Sequence, residues 1–119
     1  MTLRSNVFKT NERLQRTLTL DSAHVTQGEI GDHVARIQVA VMDLDGSIIS
    51  ESELSQKRYG PSTAAAVLAY KRARKIINHS YQTTADDIVG KMTIAALDKE
   101  MFEKQEKTFP RRRLVCLHK

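Results

Sequence analysis

Four histidines, one cysteine and a few closely spaced acids are the residues of this chain best suited to chemistry. His24, His33, His79 and His118 show no metal-ligand spacing. There is neither a His-Glu-x-x-His run nor a cysteine pair on which to found a zinc site. Cys116 stands two residues before His118. A nucleophile, however, needs a base held by a third group in a structured pocket, and the end of a chain is poor ground for that. Asp86-Asp87 and the pair Glu51 and Glu53 are adjacent or near-adjacent acids in expected loops, with no sign of the raised pKa that acid–base work demands. Asn78-His79-Ser80 has the form of a glycosylation sequon, a triplet that also arises by chance. No glycine-rich phosphate loop occurs. The expectation is a protein that is not an enzyme and carries no cofactor or metal.

Composition bounds what remains. At 119 residues and 40% hydrophobic content, the chain suffices for one small domain and is too short for two ordinary ones. No stretch approaches the roughly 18 consecutive apolar residues of a membrane helix. The opening MTLRSNVFKTNER mixes charge with apolar side chains and contains no apolar signal-peptide core. With no Trp and only three Tyr and three Phe, the core must be largely aliphatic. The net charge of +5 is not spread over the chain. Residues 1–103 carry 13 Lys/Arg against 13 Asp/Glu, and the excess comes from Lys104, Lys107, Arg111, Arg112, Arg113 and Lys119 against Glu106. A basic end of this kind meets phosphates or acidic surfaces by charge alone, or is simply solvated. Nucleic acid is therefore not the expected partner.

An internal repeat organises the body of the chain. Tyr59-Gly60-Pro61-Ser62-Thr63-Ala64-Ala65-Ala66-Val67 recurs 30 residues later as Val89-Gly90-Lys91-Met92-Thr93-Ile94-Ala95-Ala96-Leu97. A weaker copy, Ile30-Gly31-Asp32-His33-Val34-Ala35-Arg36-Ile37-Gln38, lies 29 residues before the first. The repeat has the chemistry of a helix start. Glycine suits the non-helical backbone at an N-cap, and Pro61 suits the first helical position, where a missing N–H costs nothing. Thr63 and Thr93 fall in the first turn, where a hydroxyl can bond back to free backbone groups. A lost bond of that type is worth about 1 kcal/mol.

Apolar positions keep helical spacing after each start: Val34, Ile37, Val41 and Leu44; Thr63, Ala66, Val67, Tyr70, Ala73 and Ile77; Thr93, Ala96, Leu97 and Met101. Basic Lys71, Arg72, Arg74 and Lys75 crowd the end of the middle helix, where the macrodipole favours cations. The spacing predicts helices over 32–44, 61–78 and 91–103, with a short helix over 10–18 around Leu14 and Leu18. Each stripe must be buried against the others, and small Ala66 and Ala96 allow close approach. The segments 45–58 and 78–87, rich in Ser, Asp, Gln and Thr, read as loops. The expected fold is all-α, a small three-helix bundle with an extra short N-terminal helix and a basic C-terminal tail. Its divisions are an extension over 1–27, a domain over 28–103 and a tail over 104–119.

The repeat resembles the bacterial peptidoglycan-binding domain, a three-helix module appended to many cell-wall hydrolases. Gly31, Val34, Ile37 and Gln38 match its first block, and Tyr59, Gly60, Thr63, Ala66, Val67 and Tyr70 match its second. Asp86, Val89, Gly90, Thr93, Ala96 and Leu97 match its third, so the likeness covers residues 28–98 in order. At three places the sequence departs from the pattern. Gln56-Lys57 stands where the family has Asp-Gly, Asp87 where it has Gly, and Lys71 where a Gln follows the helix aromatic.

The resemblance implies a non-catalytic module whose ligand is peptidoglycan or a muropeptide, bound shallowly through loops. Tyr59 and Tyr81, placed in loops, are candidates for stacking on a sugar face. Tyr70 sits on the inward face, where aromatics at helical spacing are ordinarily core, and contacts ligand only if that face lines a groove. Lys57, Arg58, Lys71 and Arg74 suit the carboxylates of a muramyl peptide, and Asp86 opens the third block. Gly31, Gln38, Gly60, Thr63, Gly90 and Thr93 are expected to be structural, with Gln38 tying down a loop carbonyl. The alternative is a protein-interaction or scaffolding domain of the same fold, as in a secretion or phage assembly, that no longer binds peptidoglycan. Peptidoglycan binding implies a place in the cell envelope, although no export signal is legible.

Overall fold

The computed structural model describes residues 3–20, 23–76 and 87–108, and these form five α-helices. Helix α1, Glu12–Thr19, is capped by Asn11, whose side chain accepts from the backbone N of Leu14 at 3.0 Å. Helix α2, Asp32–Asp45, runs from Gly31 to a left-handed Gly46. Gly31, at φ +152°, holds a backbone that other residues rarely adopt. Helices α4, Pro61–Arg74, and α5, Lys91–Thr108, follow Gly60 and Gly90, so each block of the repeat opens a helix. Among the described residues there is no β-strand. Two isolated bridges, Val25 with Val89 and Ile30 with Arg58, pin the connecting segments.

The all-α expectation holds, with three differences in the elements. First, a short helix α3, Glu51–Gln56, occupies part of the segment read as a loop over 45–58. Ser50 is its N-cap and accepts from the backbone N of Glu53 at 3.4 Å; Ser-x-x-Glu is the sequence signature of such a start. Second, α4 stops at Arg74 instead of continuing to 78, because Lys75 turns left-handed and its N–H closes back on Arg72 O and Lys71 O. Third, α5 extends past 103 to Thr108. Lys104 and Gln105, assigned from sequence to the tail, are helical: Lys104 Nζ reaches Asp43 Oδ1 on α2 at 3.0 Å, and Gln105 Oε1 accepts from Asn6 N at 2.7 Å. Arg111, Arg112, Arg113, Cys116 and His118 lie outside the described residues, as do Ile77, Asn78 and His79.

Helix α5 is the common wall of the fold, packing on α1 and on α2, while α2 also packs on α4. The expected stripes supply the core: Val34, Ile37 and Val41 from α2, Ala66, Val67 and Tyr70 from α4, and Leu97 from α5 are buried. Ala73 is the exception; it is exposed in the last turn of α4. The segment before α1 is part of the same core. Leu3 and Phe8 are buried, and the buried carboxylate of Asp98 on α5 accepts from Arg4 N at 3.0 Å and Ser5 N at 2.8 Å. The Arg4 guanidinium lies 4.4 Å over the Phe102 ring. No helix among the described residues is long and apolar enough to cross a membrane.

Lys57, the C-cap of α3, has φ +55° and ψ +41°. It is exposed, and it stands where the resembled family has glycine. A left-handed backbone strains an L side chain, whereas glycine adopts it freely at some entropic cost. Lys57→Gly is therefore expected to stabilise the protein by about 0.5–1 kcal/mol, read as a raised melting temperature. An unchanged or lowered melt would contradict this. Lys75, the C-cap of α4, is another described non-glycine residue with positive φ, at +57°.

Candidate functional site at the helix starts

The three helix starts are drawn to one end of the molecule by backbone bonds between their leading segments. Gly28 N donates to Tyr59 O at 2.9 Å, Tyr59 N to Glu29 O at 2.8 Å, and Gly31 N to Lys57 O at 3.0 Å. Val25 and Val89 exchange two bonds of 2.9 Å, which brings the start of α5 to the same place. Residues 27–31, 57–62 and 87–92 thus share one end of the fold.

The middle start is organised by Glu53, a residue sequence reading left among the loop acids. Its carboxylate is buried and accepts from Gly60 N at 3.1 Å, Ser62 N at 3.0 Å, Thr63 N at 2.9 Å and the Thr63 hydroxyl at 2.8 Å. An acid from α3 thereby caps α4 and faces the positive end of its dipole. Burial opposes the charge, but the bonds from Ser62 and Thr63 outweigh it and hold the carboxyl at about 2. Gly60 is required here for space: its φ is an ordinary −106°, but a Cβ would lie 2.6 Å from the Glu53 carboxyl carbon.

Gln38 completes this network from α2. Its Nε2 donates to Arg58 O at 3.0 Å, the kind of loop carbonyl expected for it, and to Thr63 Oγ1 at 3.0 Å. The Thr63 hydroxyl is therefore not spent on first-turn backbone, as its position suggested. It joins the side chains of Glu53 and Gln38, both buried. Thr63→Val would leave a donor on Gln38 and an acceptor on Glu53 short of a partner at once. The expected cost is about 2 kcal/mol, twice that of a simple cap bond, measured by chemical denaturation. A cost under about 0.5 kcal/mol would show that water replaces the hydroxyl. Thr93, in the same register on α5, is likewise buried.

The side chains expected to contact ligand divide sharply. Tyr59 is not an open loop aromatic: it is 0% exposed, and its hydroxyl donates to Asp87 O. Tyr70 is equally buried; its hydroxyl donates to Glu100 Oε2 at 2.7 Å and its ring lies 3.9 Å beneath the Arg74 guanidinium. Burial first, then the bond to Glu100, pushes its phenol far above the usual range. Arg74 is held by Glu100, through Nε at 2.8 Å and a second nitrogen at 2.7 Å, and by Asp45 at 2.8 Å. The Arg74 bond in turn lowers the Glu100 carboxyl. Lys71 is 5% exposed and donates to Ile88 O at 2.8 Å. These four residues join elements of the fold to one another. Tyr81 and Asp86 lie outside the described residues.

What the helix-start end offers to solvent is a shallow, mixed surface. Lys57 and Lys91 are exposed there, and Arg58 is half-buried, with its Nε donating to Gln56 Oε1 at 3.0 Å. Ile30 and Met92 are exposed apolar residues, at 63% and 55%. Cations beside apolar patches suit carboxylates carried on small hydrophobic groups.

Behind this surface, Glu29 Oε1 meets His33 Nε2 at 2.9 Å and Arg13 at 3.1 Å, and Glu29 Oε2 accepts from Thr26 N at 2.9 Å. Burial opposes the Glu29 charge, but the bonds from Thr26 and His33 hold its carboxyl below the usual range. Its bonds tie the 26–29 turn to α1 and α2. Among the described residues no group of three or more His, Cys, Asp or Glu side chains is placed to hold a metal ion. Comparison of the chain with protein-family models, with curated proteins and with solved structures finds no match.

Proposed function

We propose that this chain is a non-catalytic peptidoglycan-binding module of the three-helix type, and that it takes muropeptide at the helix-start end. The observation that carries the reading is that all three blocks resembling the peptidoglycan-binding family stand at helix starts, and those starts meet at one end. The surface there supplies Lys57 and Arg58 for stem-peptide carboxylates, with Ile30 and Met92 beside them. With Tyr59 and Tyr70 buried, recognition rests on the peptide more than on stacking against sugar. Such a surface buries little area and binds weakly. Its place of action is the cell envelope.

The test is co-sedimentation of the full chain with purified sacculi, beside a helical control protein. The expected result is enrichment over the control that soluble muropeptides compete away. No enrichment would overturn the reading.

A second reading, a protein-interaction or scaffolding domain of the same fold, is favoured by one observation. Tyr59, Tyr70, Lys71 and Arg74 are all engaged inside the protein. Its signature is a defined protein partner or an oligomer in solution, together with no binding to sacculi.

A further inference from the structure

A groove of about 480 Å³ runs along the flank of α5, between the segment before α1 and the end of α1. Its volume lies within the range of small-molecule sites, which are mostly apolar and carry a few placed polar groups. Ala95 and Ala96 form its α5 wall, and Leu3 and Leu18 supply the rest of its apolar lining. In the repeat, Ala96 corresponds to Ala66. Ala66 is buried against other helices, whereas Ala95 and Ala96 are only half-buried. Small side chains on α5 thus leave space that the protein's own packing does not use.

Two cations border this groove. Arg4 and Lys99 are exposed, and neither the guanidinium nor the ammonium has a hydrogen-bond or ion-pair partner among the described residues. Arg13, Arg36, Arg74 and Lys104, by contrast, each meet a carboxylate. Arg4 is also held in place. Its N donates to both oxygens of Asp98 at 3.0 Å, and its guanidinium lies 4.4 Å over the Phe102 ring. A stacked guanidinium keeps its N–H edge available for two parallel bonds to a carboxylate. Asp98 lines the groove as well, but it is buried and its oxygens already accept from Arg4 N and Ser5 N. Two exposed cations against one buried anion leave the groove positive.

The order of residues along α5 gives the groove a direction. Ala95, Lys99 and Phe102 share one face at helical spacing. Arg4 stacks on Phe102, so the cations gather toward one end and the apolar wall runs to the other. That gradient suits an anionic head on an alkyl chain. The chain's own basic end, with Arg111, Arg112 and Arg113, has the wrong charge to lie against Arg4 and Lys99. We propose that this groove binds a medium-chain alkyl carboxylate, a ligand of the fatty-acid class. Its head meets Arg4 and Lys99, and its chain lies against Ala95, Ala96 and Leu18. The site does not depend on the wall-binding reading.

The experiment titrates the full chain with hexanoate, octanoate and decanoate, followed by backbone amide NMR. The expected result is saturable shifts at Leu3, Leu18, Ala96 and Lys99, with an octanoate dissociation constant on the order of millimolar or tighter. Affinity should rise roughly tenfold from hexanoate to octanoate, the worth of two buried methylenes. Octanol, with the same chain length and no charge, should bind about tenfold more weakly than octanoate. Arg4→Gln and Lys99→Gln should each weaken octanoate about fivefold and leave octanol unchanged, a pattern that a general loosening of the fold would not produce. No saturable shift with any of the three acids would overturn the proposal. So would equal affinity for hexanoate and octanoate, octanol binding as tightly as octanoate, or unchanged octanoate affinity in both variants. Binding to anionic phospholipid vesicles that octanoate does not compete away would also overturn it, by making Arg4 and Lys99 a membrane-contact patch.

Discussion

Replacing Glu53 by Gln is expected to cost the fold about 3 kcal/mol at neutral pH. The figure follows from a carboxyl held at about 2 in the folded chain against an ordinary 4.5. The shape of the side chain survives, but an amide has only one oxygen to offer where Gly60 N, Ser62 N, Thr63 N and the Thr63 hydroxyl all donate. The sign of the pH dependence is fixed by the direction of the shift. A carboxyl depressed by folding contributes its full stability above the unfolded value of 4.5, and that contribution is lost as pH falls toward about 2. Denaturation of wild type and Glu53→Gln should therefore show a constant gap from neutral pH down to about 5 and a narrowing one below it. A gap independent of pH would mean that the loss comes from the amide's missing acceptor and not from the carboxylate's charge.

Asp98→Ala is the second large effect. Its buried carboxylate receives both Arg4 N and Ser5 N, and no other described side chain holds those two amides. Bonds to a charged acceptor are worth about 1.5–3 kcal/mol, so a loss of 2–3 kcal/mol is expected. The loss should be local before it is global. Hydrogen exchange at residues 4–9 should rise well above that of α2 and α4, because Leu3 and Phe8 leave the core when their anchor goes. Uniform acceleration throughout the chain would show instead that the N-terminal segment and the helices unfold as one unit.

The repeat made the helix starts legible because its chemistry is local. A glycine, a proline at the first position and a stripe at helical spacing are all read within a dozen residues, and Gly31, Gly60 and Gly90 do precede α2, α4 and α5. The loop-carbonyl role of Gln38 was legible because a polar residue on an apolar stripe must find a partner. Helix α3 was equally readable from Ser50-x-x-Glu53, but a six-residue helix presents too short a stripe to show periodicity.

The helix ends were not legible for a different reason. Nothing in the residue type of Lys75 announces a left-handed stop, since glycine is the usual signal. The continuation of α5 depends on Asp43 and Asn6 being across from Lys104 and Gln105, which is a tertiary fact. The same holds for Tyr59, Lys71 and Arg74. Their residue types suit a ligand, and only the positions of Asp87, Ile88 and Glu100 show that they are occupied within the fold.

The most direct test of the proposed wall recognition at the converging helix starts is site-resolved NMR on the full chain titrated with a soluble disaccharide–peptide fragment of peptidoglycan. The expected result is saturable shifts at residues 27–31, 57–62 and 87–92, weakened by Lys57→Glu with the melting temperature little changed. Absence of saturable shifts at the helix starts, whatever happens elsewhere in the chain, would contradict it.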